Sequence, residues 1–142
     1  MTGLLLDTNV VSELRRVRQR GTDPQFVRWA ESVDLDKANV SVITIHEILR
    51  GVLLTERRDP ATGVLYRTWL DDVLEAFHGR ILAVDVDEAT TAAAFHVPDP
   101  APLADALIAA TAWTHSLAVV TRNVTDFARF GVPLLNPWEP GR

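Results

Sequence analysis

Between Asp99 and Arg122 the chain carries one formal charge, Asp105, set in Pro-Leu-Ala-Asp-Ala-Leu-Ile-Ala-Ala-Thr-Ala-Trp. Pro102 suits the first turn of a helix, and the run to about Ser116 reads as a helix that is apolar on nearly all sides. A helix of that kind is buried, and an unpaired carboxylate carried into the interior is expensive. The fold must therefore cover this helix and also bring something cationic to Asp105. No arginine lies near it in sequence, which makes a metal ion a candidate.

The rest of the chain alternates short apolar runs with amphipathic ones. Leu4 to Leu6, Asn39 to Ile43, Ile81 to Val84 and Leu117 to Val120 read as strands, with Leu134-Leu135 as a short last one. Helical spacing follows Asp7, with Val10, Val11 and Leu14 apolar and Arg15, Arg16, Arg18 and Arg20 opposing them. Further helices are expected from Pro24 to about Val33, from Thr44 through Val52, from Val64 to Phe77, from Asp87 to Phe95 and from Thr125 to Phe130. Glu56 to Gly63 (ERRDPATG) reads as a polar loop by composition. Strands alternating with helices predict an α/β fold, a single domain over residues 1–142 with a mainly parallel sheet flanked by helices on both faces.

Ligands in open α/β sheets gather outside the carboxyl ends of the strands. Asp7 follows the first strand directly, and Asp126 follows the fourth through Thr121-Arg122-Asn123. Glu47 is placed in the first turn after the second strand, and Asp105 in the first turn of a crossover helix, which begins at that same edge. Four distant carboxylates are thus expected to converge. Each also has a purely structural reading. Asp7 can cap the following helix, and Thr44-Ile45-His46-Glu47 matches a capping box. Asp105 favours a positive helix terminus, and Asn123 with Asp126 stands in a cap-and-third-residue relation.

Hard oxygen donors without any cysteine select Mg²⁺ or Mn²⁺ rather than zinc. His46, His78, His96 and His115 have no zinc-ligand spacing, and His46-Glu47-Ile48-Leu49-Arg50 ends in Arg where a zinc-protease helix needs a second His. No glycine-rich phosphate loop or nucleophile elbow is present. Carboxylates holding one or two Mg²⁺ suit phosphodiester hydrolysis, with Asp7 and Asp105 in direct coordination. Glu47 and Asp126 serve as further ligands, through water or at a second metal position. The formal charge is −5, so attraction of bulk nucleic acid by net charge is excluded while local basic patches are not. No apolar run reaches membrane-span length and no leader segment is evident, so a cytoplasmic protein is expected.

At these residues the chain resembles PIN-domain ribonucleases, and among them the VapC/FitB-like toxins of bacterial toxin–antitoxin pairs. The similarity runs through LLLDTNVVSEL (Leu4 to Leu14), SVITIHEILRG (Ser41 to Gly51), PLADALIAATAWTHSLAVVTRNVTDF (Pro102 to Phe127) and LLNPW (Leu134 to Trp138). It implies that the family's acidic residues are Asp7, Glu47, Asp105 and Asp126, with Thr8, Asn9, Thr121 and Asn123 as the small polar residues beside the metals. It also implies a parallel sheet with the site at its carboxyl edge, Mg²⁺- or Mn²⁺-dependent endoribonuclease activity on RNA, and a homodimer. The implied partner is a small cognate antitoxin, whose complex with the toxin binds promoter DNA. The chain departs from the family between Asp87 and Asp105, where Ala92 to Phe95 passes almost directly into His96-Val97-Pro98-Asp99-Pro100. That difference bears on the groove wall, the dimer contact or substrate choice.

Two other readings use the same residues. One is a catalytically silent PIN-like partner that works only by forming a DNA-binding regulatory complex with an antitoxin. The other is a flap-type DNA nuclease, against which the lack of an obvious strand-threading insertion counts. Trp29, Trp69 and Trp113 lie at helical spacing with apolar residues and are read as packing groups, Trp138 as an anchor for the tail, and Asp85, Asp87 and Glu88 as a helix start.

Overall fold

The computed structural model describes residues 3–139, so Met1, Thr2 and Pro140 to Arg142 of the expected domain lie outside the described residues. β1 (Leu4–Leu6) ends at Asp7, whose side chain accepts from the Thr8 amide and starts α1 (Thr8–Leu14). α2 (Pro24–Ser32) begins on a proline behind Asp23, whose carboxylate accepts from the Gln25 amide. β2 (Ala38–Ser41) leads into α3 (Val42–Arg58), α4 (Pro60–Ala76) and β3 (Ile81–Leu82). α5 (Val86–Phe95) and α6 (Leu103–His115) precede β4 (Ala118–Val120), α7 (Val124–Phe127) and β5 (Leu134–Leu135).

All strands are parallel, in the order β3-β2-β1-β4-β5. The sequence order therefore reverses between β1 and β4, where Leu6 is paired with Val120. In sheets of this kind the crevice opens at that reversal, beyond the strand ends. Two apolar clusters cover the sheet. One joins Leu5 and Val119 to the alanine-rich face of α6 and to Phe127 and Phe130, and the other joins Leu6, Val40 and Val120 to Val10, Val11, Phe26, Ile48, Leu70 and Phe77. Helix α6 is buried along Ala106 and Ile108 to Ala112, as its composition requires, but Leu103 at its start and Trp113 near its end are exposed.

Three expectations are corrected. Glu56 to Gly63 is not a loop: α3 runs to Arg58 and α4 starts at Pro60, with Asp59 alone between them, capping α4 through the Thr62 amide. Polar residues at a helix C-terminus followed by Asp-Pro at an N-terminus have the composition of a loop without being one. Gly63 is not a breaker here but the point where the two helices touch. A Cβ added to it would stand 2.6 Å from the Cα of Glu56. Beside that contact Arg67 grips Glu56 with both prongs, Nη2 to Oε1 at 2.7 Å and Nε to Oε2 at 3.0 Å.

The second correction follows from β2 ending at Ser41 rather than Ile43. Ser41 caps α3 through the Ile43 amide, so Thr44 is not the cap, the Thr44–Glu47 capping box does not form, and Glu47 sits in the second turn. Third, the Asn123 side chain makes no cap bond to α7. The group at Asp85 does open a helix, through a reciprocal capping box with Glu88. Trp138 does anchor the tail, its ring 4.6 Å from that of Phe26. The short segment after α5 is held by Arg129, which donates to the carbonyls of Phe95, Asp99 and Pro100, while His96 Nδ1 accepts from the Ala101 amide at 3.1 Å.

In an ordinary helix interior Gly→Ala stabilises by about 1 kcal/mol. Gly63→Ala is expected to reverse that sign, because the new methyl meets backbone and the helices must separate, at about 1–3 kcal/mol. A lowered melting temperature by circular dichroism is the expected outcome, and a raised one contradicts the contact.

Candidate active site

The polar groups at the crevice form one connected set. The Asp7 amide donates to the Val120 carbonyl at 2.9 Å, which fixes the turn out of β1 against the end of β4. The residue is only 5 % exposed, and its carboxylate accepts from the Thr8 amide at 2.8 Å, from Thr121 Oγ1 at 2.7 Å and from Asn9 Nδ2 at 3.2 Å. Thr121 in turn accepts from the Asn123 amide at 3.0 Å, and Asn9 Oδ1 accepts from the Arg122 amide at 3.3 Å. On the other side Thr8 Oγ1 lies 2.6 Å from Glu47 Oε1 and 3.1 Å from Thr44 Oγ1. A hydroxyl hydrogen serves one acceptor at a time, and the shorter contact to a carboxylate is the charge-assisted one.

Asp105 occupies the first turn of α6, half-buried, and Asp126 lies exposed in α7. Burial pushes the Asp105 carboxyl up to about 6, and the negative charges of Asp7, Asp126 and Glu47 push the same way. Burial also raises Asp7, opposed by its bonds from Thr121 and Thr8, with the Glu47 charge adding to the rise. Asp105 thus feels the charges of the other three acids. The two ion pairs among the described residues, Arg16–Glu13 and Arg67–Glu56, leave all four acids unpaired.

Among the described residues, no three Asp, Glu or His side chains already stand close enough together to grip one ion. Mg²⁺ keeps several waters and reaches part of its ligands through them. The donor set is all oxygen, carries excess negative charge and has no cationic side chain in it. That is the chemistry a hard divalent cation fits.

Of the residues singled out in the sequence, Asp7, Thr8, Asn9, Thr121 and Glu47 are joined by direct hydrogen bonds and Asn123 by its backbone amide. Asp105 and Asp126 are joined to them by charge alone. The sequence reading missed Thr44 as a member. It is fully buried and faces Thr8 across a separation of 36 residues, a contact that no local pattern announces.

The model of the PIN domain matches residues 4–133. The chain is 36% identical to the Toxin FitB of Neisseria gonorrhoeae over 96% of its own length and 99% of the relative's. It is 31% identical to VapC ribonuclease Y4jK of Sinorhizobium fredii, with the same two coverages. Among solved structures it is similar to FitAcB from Neisseria gonorrhoeae, with a TM-score of 0.83 at 34% identity over 96% of this chain and 99% of that one. It is also similar to a chain of FitAB bound to an IR36 DNA fragment, with a TM-score of 0.82 at 32% identity and 98% coverage of both chains. A match along nearly the whole length, with the polar crevice where the sheet order reverses, has one consequence: the chain belongs to the PIN-domain family.

Proposed function

We propose that this protein is an endoribonuclease that works as the toxin of a toxin–antitoxin pair, with Mg²⁺ or Mn²⁺ held by Asp7 and Asp105 and supported by Glu47 and Asp126. The observation that carries the reading is the buried Asp7 carboxylate, linked through Thr8 to Glu47 where the sheet order reverses, with neither acid in an ion pair among the described residues. Relatives named as a ribonuclease and as a toxin support it. So do the related structures in which FitB-type chains occur in FitAB complexes, one of them on DNA. Among the described residues no helix is long and apolar enough to cross a membrane, which suits action on RNA in the cytoplasm. The partners of the proposal are RNA, a second copy of the chain, a small antitoxin, and promoter DNA reached through the antitoxin complex.

When bound, the cation supplies a water of lowered pKa and neutralises charge on the phosphate and the leaving oxygen. The chain's own residues prepare the place. Thr121 and the Thr8 amide hold the Asp7 carboxylate in one orientation, and Asn9 adds a third donor. Thr8 fixes Glu47, whose carboxylate is set to orient the attacking water. Asp126 stays exposed at the rim, where it would serve as a further ligand through water.

Asp7→Asn or Asp105→Asn is expected to remove cleavage of single-stranded RNA while leaving the circular dichroism spectrum unchanged. Full cleavage by both variants overturns the mechanism. DNA of the same sequence is expected to remain uncut, and its cleavage at an equal rate moves the protein to a different nuclease class.

The raised Asp105 carboxyl makes a second prediction. An unfolded carboxyl titrates near 4, whereas Asp105 in the folded chain holds its proton up to about 6. The stability this gives is complete below the unfolded value and is lost as pH rises through the folded one. In chelator, Asp105→Asn is therefore expected to melt higher than the unaltered chain at pH 7, with the gap closing toward pH 4. Divalent cation is expected to raise the melting temperature of the unaltered chain at pH 7, by an amount equivalent to about 2.7 kcal/mol at a hundredfold excess over the dissociation constant. The same cation should leave Asp105→Asn nearly unmoved. A chain indifferent to millimolar Mg²⁺ and Mn²⁺ favours the silent, antitoxin-binding partner instead.

A further inference from the structure

A cleft of about 220 Å³ opens from the acidic crevice and runs between α1 and α3, with α4 at its far end. Thr8, Ser12 and Arg15 line it from one side, the i, i+4, i+7 positions of a single helical face. Glu47 and Gly51, also one turn apart, line it from α3. Thr8 and Glu47 belong to the cleft and to the acidic site alike, so the two spaces are continuous.

Arg15 stands at the end of this path. Its guanidinium lies 4.9 Å from the centre of the Tyr66 ring and 5.3 Å from that of Trp69. Those faces hold the planar group in place and leave its N–H edge free. Among the described residues Arg15 takes part in no ion pair and donates no side-chain hydrogen bond, although it is exposed. A positioned cation with unused donors is built for an anion; its fork fits carboxylate and phosphate alike, and continuity with the acidic site selects phosphate.

Gly51 points to the same use. It lies inside the seventeen-residue α3, where glycine costs roughly 0.5–1 kcal/mol relative to alanine. Its backbone is not left-handed, and a Cβ placed on it would meet nothing within 4 Å. Neither conformation nor packing therefore asks for glycine there. What the missing side chain does is keep the wall of the cleft clear, one turn beyond Glu47.

We propose that this cleft is a subsite for the RNA strand next to the bond that is cut, with Arg15 binding a phosphate and Gly51 leaving room for the nucleotide beside it. The inference rests on the ribonuclease reading above. From Thr8 to Arg15 is seven residues, or about 10 Å along a helix at 1.5 Å per residue. That backbone offset sets Arg15 toward the other end of the cleft from Thr8, beside Tyr66 and Trp69. Arg15 is thus a substrate-binding residue, and Tyr66 and Trp69 are its positioning residues.

The test uses the full chain with Mg²⁺ or Mn²⁺ and a short mixed-sequence single-stranded RNA, with cleavage followed over a range of KCl. Arg15→Gln is expected to raise KM about tenfold, as loss of a charge-assisted contact does, with kcat within about twofold. It should also lower the slope of log KM against log salt by about 0.7, the value for one phosphate of a single strand. Gly51→Leu is expected to raise KM similarly with the slope unchanged and with no loss of melting temperature, since leucine is the better helix former. Both variants should keep the melting shift caused by metal. KM values within twofold of the unaltered chain overturn the subsite, and a raised KM with an unaltered salt slope in Arg15→Gln overturns the phosphate role. If both variants cut RNA normally but are less well inhibited by an acidic peptide, the cleft takes polypeptide and not RNA. If the unaltered chain cuts no RNA while its melting still responds to metal, it is the ribonuclease reading that has failed.

Discussion

The Asp7 carboxylate is the constraint on which the rest of the structure turns. The parallel sheet brings the ends of β1 and β4 side by side because the strand order reverses there. A carboxyl group is left at the junction on a residue only 5 % exposed. Burial of such a group is tolerated only when its oxygens find donors. Thr8 and Thr121 supply them from the two strands' own exits, and Thr8 passes the connection on to Glu47 in α3. One satisfied carboxylate therefore ties together the entry to α1, the second turn of α3 and the exit from β4. The same bonds that lower its proton affinity only partly offset the rise from burial.

Much of this was legible in the sequence because the strands are short and end on polar residues. Leu4-Leu5-Leu6 followed by Asp-Thr-Asn, and Ala118 to Val120 followed by Thr-Arg-Asn, mark both strand ends that flank the crevice. Asp105 was legible because a lone charge in an apolar helix has few physical explanations. Other features resisted for identifiable reasons. The α3–α4 junction has a loop's composition, and only the approach of Gly63 to Glu56 in three dimensions shows that the helices continue through it. The capping box at Thr44 failed because Val42 and Ile43, strand-like by type, follow a serine that caps first. Thr44 and Glu47 were then released from local duty to meet Thr8, at separations of 36 and 39 residues.

Helix α1 shows how few residues do the positioning. In seven residues it sends Val10 and Val11 into the core, takes its cap from Asp7 and presents Thr8 to Glu47. A stripe from Thr8 continues through Ser12 to Arg15 along the cleft. The helical period turns Val10 away from that stripe, while Val11, four residues before Arg15, borders it. The cluster of arginines from Arg15 to Arg20 looked uniform in sequence, yet Arg15 alone among them rests on Tyr66 and Trp69.

That separation also bears on how a chain with a formal charge of −5 can hold a polyanion. Opposite charges close together would cancel, and an arginine inside the acidic crevice would take the place of a metal. The Arg15 backbone follows that of Thr8 by about 10 Å along the helix. A phosphate at the guanidinium therefore meets its counter-charge in direct contact, while the acids act on it from the other end of the cleft. A cation bound among the acids inverts the sign at the near end of the cleft as well. The path along α1 would then be attractive at both ends, although the protein as a whole is acidic.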